Sequence, residues 1–243
     1  MALCGAQWNG FAPTDMHRIA IVAALKSEVA PLIRDWDVRF IDYAGRRYQL
    51  FENGQAALLC AGIGPEAARR ATEVIIQEFQ PSHILSVGFV GALDPGLRVS
   101  EVFEPRTVIN AGDGARVDTG SGQGTLVSFD AVAGPEQKEK LRMAYGASVV
   151  DMEAAAVAQG ADARGISFGA LKVVSDEAGF AMPPVHGFVA PDGKFQTASF
   201  AAHVAVRPWL WGRTFILARN SARARRILCD ALEHYLKHAE LTA

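Results

Sequence analysis

The chain has 243 residues, half of them hydrophobic and 21% charged, with a formal net charge of −2. That is room for one large α/β domain or two small ones, in the composition of an ordinary globular protein. The near-neutral balance excludes a global attraction to nucleic acid, and no apolar run reaches the roughly 18 residues of a membrane span.

The three cysteines, Cys4, Cys60 and Cys229, are odd in number and have no metal-ligand spacing. This points to a reducing cytoplasm, with no disulfide framework and no bound metal. Residues 1–17 lack the basic start and long apolar core of a signal peptide and read as a loose extension. Residues 18–243 show no internal repeat and no second domain boundary.

Arg18–Leu25 reads as a buried first strand, followed by a helix from Lys26 through Leu32. Glu28 therefore falls at the carboxyl end of a strand, where open α/β sheets bind ligands. Geometry alone also allows a plainer reading, a negative charge favoured in a helix's first turn. Arg46–Glu52 and Ala56–Ala61 form a hairpin around Asn53-Gly54. Gly62-Ile63-Gly64-Pro65-Glu66-Ala67 then opens a helix running to about Phe79, with Pro65 suited to its first position.

That hexapeptide fits a dinucleotide-binding pattern, which raises an NAD-dependent oxidoreductase as an alternative. The acid expected about twenty residues later is missing, because that zone is Ile84–Val87 and then Gly88-Phe89-Val90-Gly91. Pro81–Val87 reads as a buried strand and Gly88–Leu93 as a loop whose glycines admit a flat ligand close to the backbone. Glu101–Ile109 is a strand and Asn110–Gly124 a flexible loop. Pro135–Tyr145 is a helix with Lys and Glu on its outer face.

Val149–Ala178 organises the rest: a short strand Ala147–Val150, an Ala-rich helix Met152–Arg164 ended by Gly165, and an apolar strand Phe168–Val174. Glu153 follows the first strand and Asp176 the second. Met-Glu-Ala-Ala-Ala, followed about twenty residues on by Val-Val-Ser-Asp, resembles the purine nucleoside phosphorylase and methylthioadenosine/S-adenosylhomocysteine nucleosidase superfamily. The resemblance spans roughly Arg18 to Ala178 and is patchy between Asn110 and Val149, where about a strand's worth of sequence is missing.

The resemblance implies a three-layer αβα single domain around a central, mixed, mostly parallel sheet. It implies that Glu153 binds the ribose hydroxyls as an anion, that Met152 packs against the sugar, and that Asp176, next to Ser175, protonates the leaving base. Glu28 would activate the attacking water. Ile63 would face the 5′ substituent, Phe89, Val90 and Gly91 would line the purine, and the Val132 backbone would hold the base's edge. Each apolar member has a plainer fate as core packing, and Phe89 departs from the serine common in the family.

The phosphorylases of the family supply arginines after the first strand and before the glycine loop, and neither position offers one here. This favours water over phosphate as the attacking group. No cofactor is implied, and phosphate enters only as co-substrate if the reaction is phosphorolytic. Lys172 stands where the nucleosidases carry arginine. A buried lysine is costly alone, so Asp151 or Glu153 is its expected partner. A non-catalytic nucleoside-binding protein remains an alternative.

The resemblance also implies a homodimer. After Ala178 the chain is similar to a hopanoid-associated subgroup linked to removing adenine from an adenosyl-hopane lipid. There, Trp209, Trp211 and Phe215, with Arg213, Arg219, Arg223 and Arg226, are candidates for peripheral contact with the inner membrane. The plainer reading puts the tryptophans in a core and the arginines on a solvated face of the helix Phe215–His238.

Overall fold

The computed structural model describes residues 18–190 and 192–241; the extension expected over residues 1–17 lies outside them. Strand β1 (Ile19–Ala23) is buried at every position, as its unbroken apolar run requires. It pairs in parallel with β4 (Ala56–Cys60) and with β5 (His83–Ala92). Beyond β4 lie β3 (Arg46–Asn53) and β2 (Asp37–Tyr43), both antiparallel. The β3–β4 hairpin turns at Asn53-Gly54 as expected, and Gly54 has φ +56°.

On the other side of β5 come β10 (Val149–Asp151), β9 (Thr125–Ser128), β7 (Thr107–Asn110) and β8 (Arg116–Asp118). The last strand, β11 (Ser167–Asp176), runs parallel to β5 along its length and carries the short β6 (Val102–Phe103) on its far edge. The sheet is mixed: parallel pairs fill its centre and antiparallel pairs dominate its edges.

Two cores flank the sheet. On one face pack α2 (Pro65–Phe79) and α4 (Ala154–Asp162), through Ala68, Ala71, Val74, Ile75, Val157 and Ala158. On the other pack α1 (Lys26–Val29) and the long α6 (Pro208–Leu241), through Val29, Ala224, Leu228 and Leu232. This is the expected αβα arrangement. A third cluster seats α3 (Pro135–Tyr145) through Leu141 against Ile109, Val127 and Val150. A short α5 (Thr197–Ala205) precedes α6.

Four local expectations are corrected. Gly88–Leu93 is not a loop, because β5 runs on through Ala92, held by β11 on one side and β10 on the other. The strand expected over Glu101–Ile109 is split into β6 and β7 around Pro105, which has no N–H for a ladder. The supposed flexible loop Asn110–Gly124 contains β8, which pairs antiparallel with β7. The final helix begins at Pro208, seven residues before the expected Phe215, and runs unbroken for 34 residues.

Candidate active site

The carboxyl ends of β1, β5, β10 and β11 converge on one cavity of about 210 Å³. Ten of the eleven expected site residues line it: Glu28, Ile63, Phe89, Val90, Gly91, Val132, Met152, Glu153, Ser175 and Asp176. Val132 arrives on the segment after β9, and Leu217 and Ser221 of α6 complete the wall. Phe89 does double duty, since it also packs against the core under α6.

Glu28 is buried, and its carboxylate folds back to accept a hydrogen bond from the Leu25 N–H at 3.3 Å. Burial, and next the charge of Glu153, push its carboxyl up from 4.5 to about 8. Gly88 makes room for it. Its φ of +144° suits only glycine, and a Cβ there would stand 3.2 Å from Glu28 Oε2.

Glu153 sits at the start of α4, yet its side chain turns toward a different helix. The Gly64 N–H, at the head of α2, donates to Glu153 Oε1 at 2.7 Å, and the Met152 N–H donates to Oε2 at 3.2 Å. The expected anion is held here against the cost of burial. Burial and the neighbouring Asp151 carboxylate raise its pKa to about 7, against the pull of the Gly64 amide and of Lys172.

Lys172 is the one expected residue outside the cavity lining. It lies fully buried beneath the floor, where its Nζ is 2.8 Å from Asp151 Oδ2 and donates to Ser86 Oγ at 3.0 Å. Of the two expected partners, the structure chooses Asp151. Asp151 also accepts from Ser128 Oγ at 2.6 Å and from the Ala154 N–H at 3.0 Å, which ties β9, β10 and α4 to one carboxylate.

Asp176, at the end of β11, is 1% exposed. Ser175 Oγ donates to its Oδ1 at 2.7 Å, and Lys138 Nζ forms an ion pair with its Oδ2. Lys138 was not among the expected site residues. It belongs to α3, whose lysines were expected to face outward, yet it is 2% exposed. The available signal was its spacing from Leu141: these two residues, three apart, are the buried ones on an otherwise polar helix.

The arrangement offers two carboxyl groups with raised pKa values, a third acid paired to a lysine, and a strand backbone facing the space between them. Among the described residues, no cluster of three His, Cys, Asp or Glu side chains is placed to hold a metal ion.

An αβα sheet with an acid-lined cavity outside its strand ends defines a protein built to bind and work on a small molecule at those ends. The sequence profile of the phosphorylase superfamily matches residues 18–142 and 122–204, and the chain belongs to that family. It is 28% identical over 200 residues to the 5′-methylthioadenosine/S-adenosylhomocysteine nucleosidase of Actinobacillus succinogenes, covering 65% of this chain and 85% of that one. To the nucleosidase of the same name from Marinomonas it is 32% identical over 99 residues, and this match spans only 42% of that protein. The Helicobacter pylori nucleosidase of that name has the same fold, with a TM-score of 0.64 at 19% identity over 91% of this chain and all of that one.

Proposed function

We propose that this protein cleaves the N-glycosidic bond of a purine nucleoside with a modified 5′ group, by hydrolysis. The observation that carries the reading is the convergence of Glu28, Glu153 and Asp176 on one cavity, in a chain of this family. Cleavage passes through an oxocarbenium-like state, which needs an activated water, a held sugar and a protonated leaving base. Glu28, with a pKa near neutrality, is a base strong enough to take a proton from water yet able to ionise there. Glu153, half-buried beside Met152, is placed to accept hydrogen bonds from the ribose hydroxyls. The β5 backbone from Phe89 to Gly91 flanks the base, and Asp176 serves its protonation.

Water is favoured over phosphate because the one cationic side chain lining the cavity, among the described residues, is Lys138, and Asp176 already holds it. Base release from adenine nucleosides, followed with and without phosphate, tests this. Ribose-type product at a rate indifferent to phosphate supports hydrolysis. Ribose 1-phosphate, formed at a rate that tracks phosphate, supports the phosphorolytic alternative. No base release from any purine nucleoside favours a binding protein.

The finer reading, a lipid-linked adenosine, is supported by α6. Trp209 is 73% exposed, Phe215 69% and Trp211 54%, so the expectation of tryptophans closing a core is not met. Arg213, Arg219, Arg223 and Arg226 are exposed on the same helix, and Leu217 and Ser221 of that helix reach the cavity wall. Exposed aromatic and basic side chains on the helix that also walls the cavity suit a substrate held at a membrane surface. No helix among the described residues is long and apolar enough to cross one. The homodimer implied by the resemblance remains part of this proposal.

A further inference from the structure

We propose that Lys138 and Asp176 act as one proton-holding unit at the leaving base, with Lys138 as the positioning residue that keeps a transferable proton beside the Asp176 carboxylate. This rests on reading the cavity as a nucleosidase site.

Lys138 bypasses acids much closer in sequence. Glu136 pairs with Lys140 and Glu139 with Arg142, all on the exposed side of α3. Lys138 instead runs inward to Asp176 and donates a second hydrogen bond to the Glu177 carbonyl at 2.8 Å. Burying an ammonium and a carboxylate together gains little over apolar packing, so stability alone gives a weak reason for the pair. Its position gives a stronger one. Both residues line the cavity, and Gly91 opens the strand beside them. A Cβ at Gly91 would stand 3.0 Å from Asp176 Oδ2 and 3.1 Å from Lys138 Cε.

Ser175 Oγ meets one oxygen of Asp176 and Lys138 Nζ the other, so an ammonium proton lies within direct reach of the carboxyl. In this proposal the ammonium supplies the proton that a departing purine needs. As the C1′–N9 bond breaks, its electron pair passes into the purine ring. N7 takes a proton through the Asp176 carboxyl, and Lys138 replaces that proton and ends as an amine. Asp176 returns to a carboxylate. Glu28 takes the proton of the attacking water, and solvent reprotonates Lys138 once the base has left.

Arginine at position 138 separates this role from plain charge pairing, because it keeps the cation but does not give up its proton. Wild type, Lys138→Arg and Lys138→Met are compared on 5′-methylthioadenosine and on 4-nitrophenyl β-D-riboside, whose phenolate leaves without protonation. Both variants should lose about a hundredfold on the purine nucleoside and keep near wild-type rates on the nitrophenyl riboside. Full activity of Lys138→Arg on the purine, or an equal loss on both substrates, overturns the proposal. Should Lys138→Met fail to fold, or wild type not accept the nitrophenyl riboside, Asp176→Asn and Lys138→Met/Asp176→Asn decide. Equal purine rates in those two support a single unit, and a further tenfold loss in the double variant overturns it. A wild type that releases no base from either substrate fails the nucleosidase reading itself.

Discussion

Lys172 and Asp151 form a fully buried ion pair at 2.8 Å, with Lys172 beneath the cavity and Asp151 at its lining. Asp151 in turn collects Ser128 Oγ and the Ala154 N–H. The pair is thus a fastening for the floor on which Met152 and Glu153 stand. Removing one partner leaves an uncompensated buried charge. Lys172→Met should therefore lower unfolding free energy by about 3–5 kcal/mol, read by denaturant melts. Lys172→Met/Asp151→Asn should recover part of that loss. A stable single variant would show that the pair carries no structural role.

Glu153→Gln and Asp176→Asn should each lower purine base release by at least about a hundredfold, the scale of positioned acid–base groups. Circular dichroism should show both folded. Near-full activity in either variant would remove that residue from the mechanism.

Much of this site was legible in the sequence for a physical reason. Acids close after apolar strands are placed by the sheet itself, so Glu153 and Asp176 could be located from strand ends, while for Glu28 geometry left two readings even and the family resemblance decided. What escaped notice depends on distant contacts. The glycines at 88 and 91 read as a loop by local preference, but neighbours on both sides of β5 supply the hydrogen bonds that keep it a strand. Lys138 meets Asp176 across 38 positions, which no helical periodicity reports.

Glu28 gives a pH dependence with a definite sign. Its folded pKa of about 8 lies above the ordinary 4.5, so between these values the folded protein holds a proton that the unfolded chain has released. Stability should fall as pH rises through that window, while hydrolysis should rise as Glu28 ionises. Glu28→Gln should abolish most activity and make the stability profile shallower, leaving the slope that Glu153 contributes below about pH 7. Thermal melts from pH 5 to 9 check this, at about 2–4 °C per kcal/mol for a domain of this size. A wild-type melting temperature that climbs across the window would refute the assignment.

Gly91→Ala should injure catalysis more than folding. The new methyl would press on Asp176 Oδ2 and Lys138 Cε at contacts tighter than van der Waals distance. The expected outcome is roughly a tenfold or greater loss in kcat for purine release with a small change in melting temperature. Unchanged kcat would mean that the pair tolerates displacement.

The α6 patch predicts binding to anionic vesicles that weakens with added salt, and faster cleavage of adenosines with long apolar 5′ groups than of methylthioadenosine. Trp209→Ala/Phe215→Ala should reduce vesicle binding while leaving hydrolysis of the small substrate intact. A protein that ignores vesicles and prefers the small substrate is a nucleosidase with no lipid specialisation.

Helix α6 is unbroken over 34 residues, roughly 50 Å of rigid rod. Ala224, Leu228 and Leu232 clamp its far half into the core, while the near half bears Trp209 and Phe215 and overhangs the cavity at Leu217. Its near end is braced by α5, where the Trp211 ring N–H donates to the Val204 carbonyl at 3.0 Å. A displacement there is not absorbed by a hinge but reaches Leu217 at the mouth through an unbroken rod. Under the proposed lipid-facing reading, seating the aromatic end against a surface and setting the width of the entrance would be one mechanical event.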